Sequence, residues 1–100
     1  LPWFRILMDI AALAAAVATG NPAAIMAAIQ KLVTDFLANR EAMAVEVNRM
    51  STGAMGALGV SWWGLIRDLQ KLVVDFQANA PINVLIEDAK AILRDLGIEL

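Results

Sequence analysis

Residues 30–39 read QKLVTDFLAN and residues 70–79 read QKLVVDFQAN. The two segments differ only at positions 34/74 and 37/77, so eight of their ten residues are identical. Similarity at a fixed offset is typical of internal repeats, in which each copy is one supersecondary unit that must stack on its neighbour. The offset here is 40 residues, and the sequence therefore predicts a duplicated unit of that length.

Apolar residues recur at helical spacing within and around both copies. The sequence predicts one all-α domain, 1–100, in which about five short helices form a compact bundle. The helices are expected at about 2–18, 22–38, 41–50, 62–78 and 82–96, so that helix 2–18 precedes the repeat-equivalent segments 22–58 and 62–98.

Turn and cap residues set the boundaries of these helices. Gly20 fits a left-handed position after the first helix, and Asn21 and Ser61 are expected to cap the helices that follow them. Asn39 is expected to be the last residue of the second helix, and Pro81 to open the last helix.

The repeat also predicts which positions are equivalent. Leu32 should match Leu72 and Phe36 should match Phe76, each in the core. The first and last helices resemble each other too, because Asp9 and Asp88 fall at the same distance from the prolines that open those helices.

Residues 51–60 read STGAMGALGV and allow two interpretations. Three glycines each disfavour a helix by about 1 kcal/mol relative to alanine, which indicates a loop. Alternatively, the glycines form a small-residue face at a helix end, which would let another backbone approach closely.

Composition argues against several functional classes. A net charge of −2 disfavours nucleic-acid binding, which needs a basic surface. The chain has no Cys and no His, so it lacks thiolate ligands, a Cys nucleophile and the commonest general base. The Ser and Thr hydroxyls have no neighbouring base to activate them. The sequence therefore predicts no catalytic residues, no metal and no cofactor.

The chain carries more apolar surface than five short helices can bury. Hydrophobic residues make up 60% of the sequence, above the roughly 45–50% usual for soluble domains. Charges on the two repeated helices include the pairs Lys31 with Asp35 and Lys71 with Asp75, which are expected to lie on solvated faces. Large exposed apolar patches usually mark interaction sites.

Three tryptophans and two methionines are the candidate binding residues. Trp62 and Trp63 point to different sides of one helix, so at least one of them, with Trp63 preferred, is expected to meet a partner or ligand. Trp3 is a second aromatic anchor. Met26 and Met55 suit an adaptable apolar lining.

The expected function is a non-catalytic helical module that binds a hydrophobic, lipid-like ligand or a partner helix, self-association included. A small membrane-active protein that lies in the interface or forms a pore is the alternative. A designed scaffold without natural function also fits the pattern. The uncharged runs are interrupted at residues 20–22 and at the glycines of 51–60, so neither is a clean span of about 20 residues.

Overall fold

The computed structural model describes residues 2–52 and 60–99, and all regular secondary structure in these ranges is α-helical. Four helices follow in order: α1 (Pro2–Thr19), α2 (Pro22–Thr52), α3 (Trp62–Gln77) and α4 (Ile82–Asp95). α1 packs on α2, α3 packs on α4, and α2 contacts α3 to join the two pairs. The radius of gyration of 12.9 Å matches the ~13 Å expected for a compact chain of this length. The predicted all-helical bundle is confirmed.

The turn between α1 and α2 is built by the residues that the sequence indicates. Gly20 has a φ of +73°, a left-handed conformation that costs glycine no steric penalty. Asn21 Oδ1 accepts the backbone N–H groups of Ala23 at 3.0 Å and Ala24 at 3.4 Å. Asn21 therefore caps α2 as predicted, because these donors have no partner within the helix.

α2 is one helix of 31 residues, so the predicted end of a helix at Asn39 is wrong. Asn39 stays helical, and its side-chain amide donates to the Asp35 carbonyl at 2.8 Å. Its repeat counterpart Asn79 leaves the helical conformation with a φ of +57°. The difference lies downstream, because Pro81 disfavours helical backbone in the preceding residue, whereas residues 40–42 are good helix formers. The described part of the bundle has four helices, not five.

The predicted third helix, 41–50, is therefore the C-terminal part of α2. It forms no separate element to match α4. α2 also includes residues 51 and 52, whereas residues 53–59, with all three glycines of that stretch, lie outside the described residues.

α3 starts after Ser61, but the predicted side-chain cap is not formed. The Ser61 carbonyl accepts the Leu65 N–H at 2.8 Å, and the Ser61 N–H donates to the Asp95 carbonyl at 3.2 Å. The start of α3 is thereby tied to the end of α4 through the backbone. Gly97 follows α4 with a φ of +80°, where the sequence predicts the helix to stop.

The core receives side chains from all four helices. Leu32 on α2 and Leu72 on α3 have no exposed surface. Phe36 is also fully buried, whereas Phe76 is only half-buried at the edge of the core. Phe36 lies in the middle of α2, but Phe76 is the last residue but one of α3, so no further turn of that helix covers it.

Candidate functional site

α1 presents an apolar strip to solvent. Phe4 is 66% exposed and Met8 is 58% exposed. Ala11, Ala15 and Ala18 are exposed as well. These five residues are spaced by 4, 3, 4 and 3 positions, so they share one side of the helix. We call them the α1 face. The same spacing forms the seam along which one helix packs on another in coiled coils.

The inward side of α1 is equally apolar. Trp3, Ile6, Ile10 and Leu13 are buried in the core. A helix that is apolar on both sides cannot bury both against one bundle. Phe4 lies about 160° around the helix from Ile6 and about 180° from Leu13 at 100° per residue, so it points away from these core residues.

The α1 face carries no charge. Arg5 is exposed at its border, and Asp9, the other charged residue of α1, is 4% exposed on the inward side. Asp9 contacts Lys31 of α2, whose Nζ lies 3.4 Å from Asp9 Oδ1. Nothing on this face would therefore have to be desolvated as a charge when an apolar partner covers it.

Two of the predicted binding residues belong to the core. Trp3 and Trp62 are 5% and 4% exposed, and their rings meet edge to face with centroids 5.2 Å apart. Trp3 Nε1 donates to the Met43 carbonyl at 3.2 Å. The hydrogen bond joins the start of α1 to α2, and the ring contact joins it to α3. Both tryptophans therefore hold helices together.

The remaining predicted residues do not converge on one place. Trp63 is 50% exposed and Met26 is 36% exposed, whereas Met55 lies outside the described residues. Trp63 adjoins Trp62, at the end of the bundle that contains Met43. Met26 precedes Met43 by 17 positions (43 − 26) on α2, or roughly 25 Å along the helix axis at 1.5 Å per residue.

Of the surface grooves formed by the described residues, two are bordered by more than one element or by the end of α4, and both lie away from the α1 face. The groove between α2 and α3 has a volume of about 360 Å³ and includes the partly exposed Leu37 and Val74. The groove beside the end of α4 measures about 220 Å³ and is bordered by Lys90, Arg94 and Glu99. Both are open to solvent, and Trp3, Met26, Trp62 and Trp63, the predicted binding residues that the structure describes, line neither groove.

A lysine bridges two aspartates within each helix pair. Lys31 Nζ lies 3.1 Å from Asp35 Oδ2 on its own helix and 3.4 Å from Asp9 on α1. Lys71 Nζ lies 2.8 Å from Asp75 Oδ2 on its own helix and 3.0 Å from Oδ1 of Asp88 on α4. The sequence indicated the pairs within a helix but not the contacts between helices, because those residues are 22 and 17 positions apart.

Burial and neighbouring groups shift the pKa values of the aspartates in these clusters. Desolvation raises the pKa of Asp9 and of Asp88, and the neighbouring aspartate on the repeated helix adds to the effect. The pKa of Asp35 is lowered by its hydrogen bonds with Asp9 and Lys31. The pKa of Asp75 is lowered in the same way by Asp88 and Lys71. Each lysine keeps its charge, since hydrogen bonds to the two carboxylates raise its pKa. Each cluster connects two helices, α1 with α2 and α3 with α4.

A carboxyl pair joins the start of α3 to the end of α4. Asp95 Oδ2 is buried without a hydrogen-bond donor, and the Asp68 carboxyl is within hydrogen-bonding reach. Burial first, and then the hydrogen bond and negative charge of Asp68, raise the pKa of Asp95 to about 7, against the opposing charges of Arg67 and Arg94. Gly64 lies beneath this carboxyl, and a Cβ there would be 3.3 Å from Asp95 Oδ1.

The pair predicts a pH dependence of stability. Because the pKa of Asp95 is raised from 3.8 to about 7 on folding, the native state binds more protons between these values. Its contribution is therefore complete below pH 4 and is lost as the pH rises through 7, with a limiting slope of about 1.4 kcal/mol per pH unit. Asp95→Asn should remove this loss. Urea unfolding of both proteins should give similar free energies at pH 5 and a more stable variant at pH 8. If the free energies of unfolding of the wild type and the variant differ by the same amount at pH 5 and at pH 8, the raised pKa of Asp95 is contradicted.

No protein-family model matches the chain, and neither the search of curated proteins nor the search of solved structures finds a match. None of the described helices combines the length and apolarity needed to cross a membrane. Within the described ranges, no group of three or more His, Cys, Asp or Glu residues is arranged to hold a metal ion.

Proposed function

We propose that the protein is a non-catalytic helical binding and assembly module whose α1 face packs against an apolar partner, above all a partner helix. The observation that carries this proposal is the exposure of Phe4 and Met8 in line with three alanines on one uncharged side of α1. Covering a large apolar side chain fully is worth roughly 1.5–3 kcal/mol. The exposed fractions of Phe4 and Met8 leave much of that free energy available for binding.

A partner helix fits the α1 face better than a lipid-like ligand held inside the bundle. The largest core side chains, including Phe36 and Met43, have no exposed surface. A ligand would therefore lie on the surface, where the α1 face offers a long strip rather than a concave site. The spacing of 4, 3, 4 and 3 positions suits the side chains of a second helix.

A membrane surface is the second candidate partner. It is favoured by the exposure of Phe4 on α1 and of Trp63 on α3, since aromatic side chains partition to the lipid headgroup level. It is disfavoured by the border of the α1 face, where Arg5 is the single basic residue on α1, because helices that lie on membranes are commonly rich in Lys and Arg.

The 40-residue offset is best explained by duplication of a helix-pair unit. The two lysines occupy the same repeat position, and each contacts an aspartate on its own helix and one on a neighbouring helix. The neighbour is α1, which precedes the first copy, or α4, which follows the second. Under this proposal α1 and α4 are equivalent, although only α1 exposes a long apolar face with large side chains at one end.

Sedimentation velocity over a concentration series tests the proposed function. Phe4→Lys combined with Met8→Lys should abolish association, because it places two charges on the α1 face. Val45→Lys combined with Val74→Lys is the matched control, since these valines are 67% and 64% exposed on α2 and α3. Trp63→Lys tests the surface of α3 separately. Circular dichroism should be unchanged in all variants.

Apolar probes complete the experiment. Oleate and phosphatidylcholine vesicles should be bound less by the α1 variant than by the control if a lipid is the occupant. A wild-type protein that stays monomeric to millimolar concentration and binds neither probe would overturn the proposal and favour a bare scaffold. Association that the control abolishes and the α1 variant does not would place the binding surface elsewhere.

A further inference from the structure

The α1 face is graded in size along its length. Its N-terminal half carries the large side chains of Phe4 and Met8. Its C-terminal half carries only Ala11, Ala15 and Ala18. A partner helix must therefore be small where α1 is large and large where α1 is small if the contact is to be closely packed.

The α1 face of a second copy meets that requirement when the two helices run antiparallel. Two antiparallel copies related by a twofold axis pair position i with position 19 − i. Phe4 then lies opposite the partner's Ala15, and Met8 lies opposite the partner's Ala11. A twofold axis repeats both contacts, so every large side chain meets a small one. In a parallel pair, Phe4 would meet the partner's Phe4 and the alanines would face each other across a gap.

We infer that a second copy of this chain occupies the α1 face, packed antiparallel with the twofold axis between positions 9 and 10 of α1. This inference rests on the proposed function and specifies its partner. The occupant is neither a disordered peptide nor a lipid, because neither has the matching gradient of side-chain size.

The charge at the border favours the same orientation. Arg5 is exposed at the edge of the otherwise uncharged α1 face. In a parallel pair the two arginines would stand side by side and repel. The antiparallel pair sets Arg5 opposite the partner's Ala14 and separates the two arginines by about 13 Å along the helix axis. The two helix dipoles are also opposed in this arrangement.

The contact area available on the α1 face is small. The α1 face spans 14 positions from Phe4 to Ala18, or about 21 Å, and a helix is about 10 Å wide. The resulting strip of roughly 200 Å² in projection is well below the ~800 Å² that each partner contributes to a standard stable interface. A contact of this size indicates a weak and reversible dimer.

A size-exchange experiment tests this register. Sedimentation equilibrium would compare the wild type with Phe4→Ala, with Ala15→Phe and with the double variant. Phe4→Ala should weaken the dimer at least tenfold by leaving a gap, and Ala15→Phe should weaken it at least tenfold by overpacking. The double variant exchanges the large and small positions and should associate within about threefold of the wild type. Val45→Ala on α2 is the control and should have no effect.

Other outcomes separate this inference from the proposed function. If the wild type associates but the double variant is no stronger than the weaker single variant, the antiparallel register is wrong and the proposed function stands. If the wild type is monomeric while Phe4→Lys with Met8→Lys abolishes oleate binding, the second copy is wrong as the occupant. The substituted residues, Phe4, Met8, Ala15 and Val45, are all exposed in the monomer. Urea unfolding of each variant would verify that it is folded.

Discussion

Phe36→Ala is expected to lower the free energy of unfolding by about 3–5 kcal/mol. Phe36 has no exposed surface and lies in the middle of α2, where the core surrounds it. The loss combines the transfer free energy of the ring with a cavity that the neighbouring side chains fill only in part. Urea unfolding followed by circular dichroism measures the difference.

Phe76→Ala is the matched control from the same repeat position. Phe76 is only partly buried near the end of α3, so its truncation should cost less than that of Phe36, because less apolar surface returns to water. Equal losses at the two positions would show that the end of α3 is covered more completely than described. A loss below about 1 kcal/mol at Phe36 would contradict the packing of the core.

Trp62→Ala should have an effect of similar size, about 3–5 kcal/mol. Trp62 is buried and meets Trp3 edge to face at 5.2 Å. Such aromatic pairs contribute about 0.5–1.5 kcal/mol beyond their buried area. The substitution also removes the contact by which α3 holds the start of α1, so amide exchange in the first turns of α1 should accelerate.

The adjacent residue provides the control for Trp62. Trp63 is 50% exposed, and Trp63→Ala should change the free energy of unfolding by less than about 1 kcal/mol. Both variants remove an indole from the same turn of α3, so a difference in their free energies of unfolding reflects the different burial of the two side chains. Similar losses in the two variants would mean that the inward and outward sides of α3 are assigned incorrectly.

Local signals in the sequence predict most of the helix boundaries. Gly20, Asn21 and Gly97 act through backbone conformation and capping, which depend on a few neighbouring residues. The continuity of α2 was not predicted, because Asn39 was interpreted as the last residue of the second helix. The deciding residues lie just outside the repeated segment, where only the second copy is followed by a proline.

The candidate site was predicted only in part. The composition indicated surplus apolar surface, but the tryptophans and methionines were predicted to form it, and the size of a tryptophan suits a core and an interface alike. Trp3 and Trp62 are instead buried together. The angular position of Phe4 on α1 would have separated it from Ile6, but the exposure of a face also depends on which side the other helices cover.

The contacts of the lysines could not be predicted from spacing. Lys31 with Asp35 and Lys71 with Asp75 follow from the i, i+4 rule. The contacts with Asp9 and Asp88 require α1 to lie against α2 and α4 against α3 in a particular register. The equal distances of Asp9 and Asp88 from Pro2 and Pro81 were visible in the sequence, but the atoms that these aspartates bind were not.

The most direct measurement of the central claim, that the α1 face is covered by a second copy, is the peroxide oxidation rate of individual methionines at increasing protein concentration. Exposure predicts that in dilute protein Met8 reacts fastest, Met26 more slowly and Met43 slowest, since they are 58%, 36% and 0% exposed. From micromolar to millimolar protein, oxidation of Met8 should slow while that of Met26 stays constant. A Met8 rate that remains constant across this range would contradict the claim.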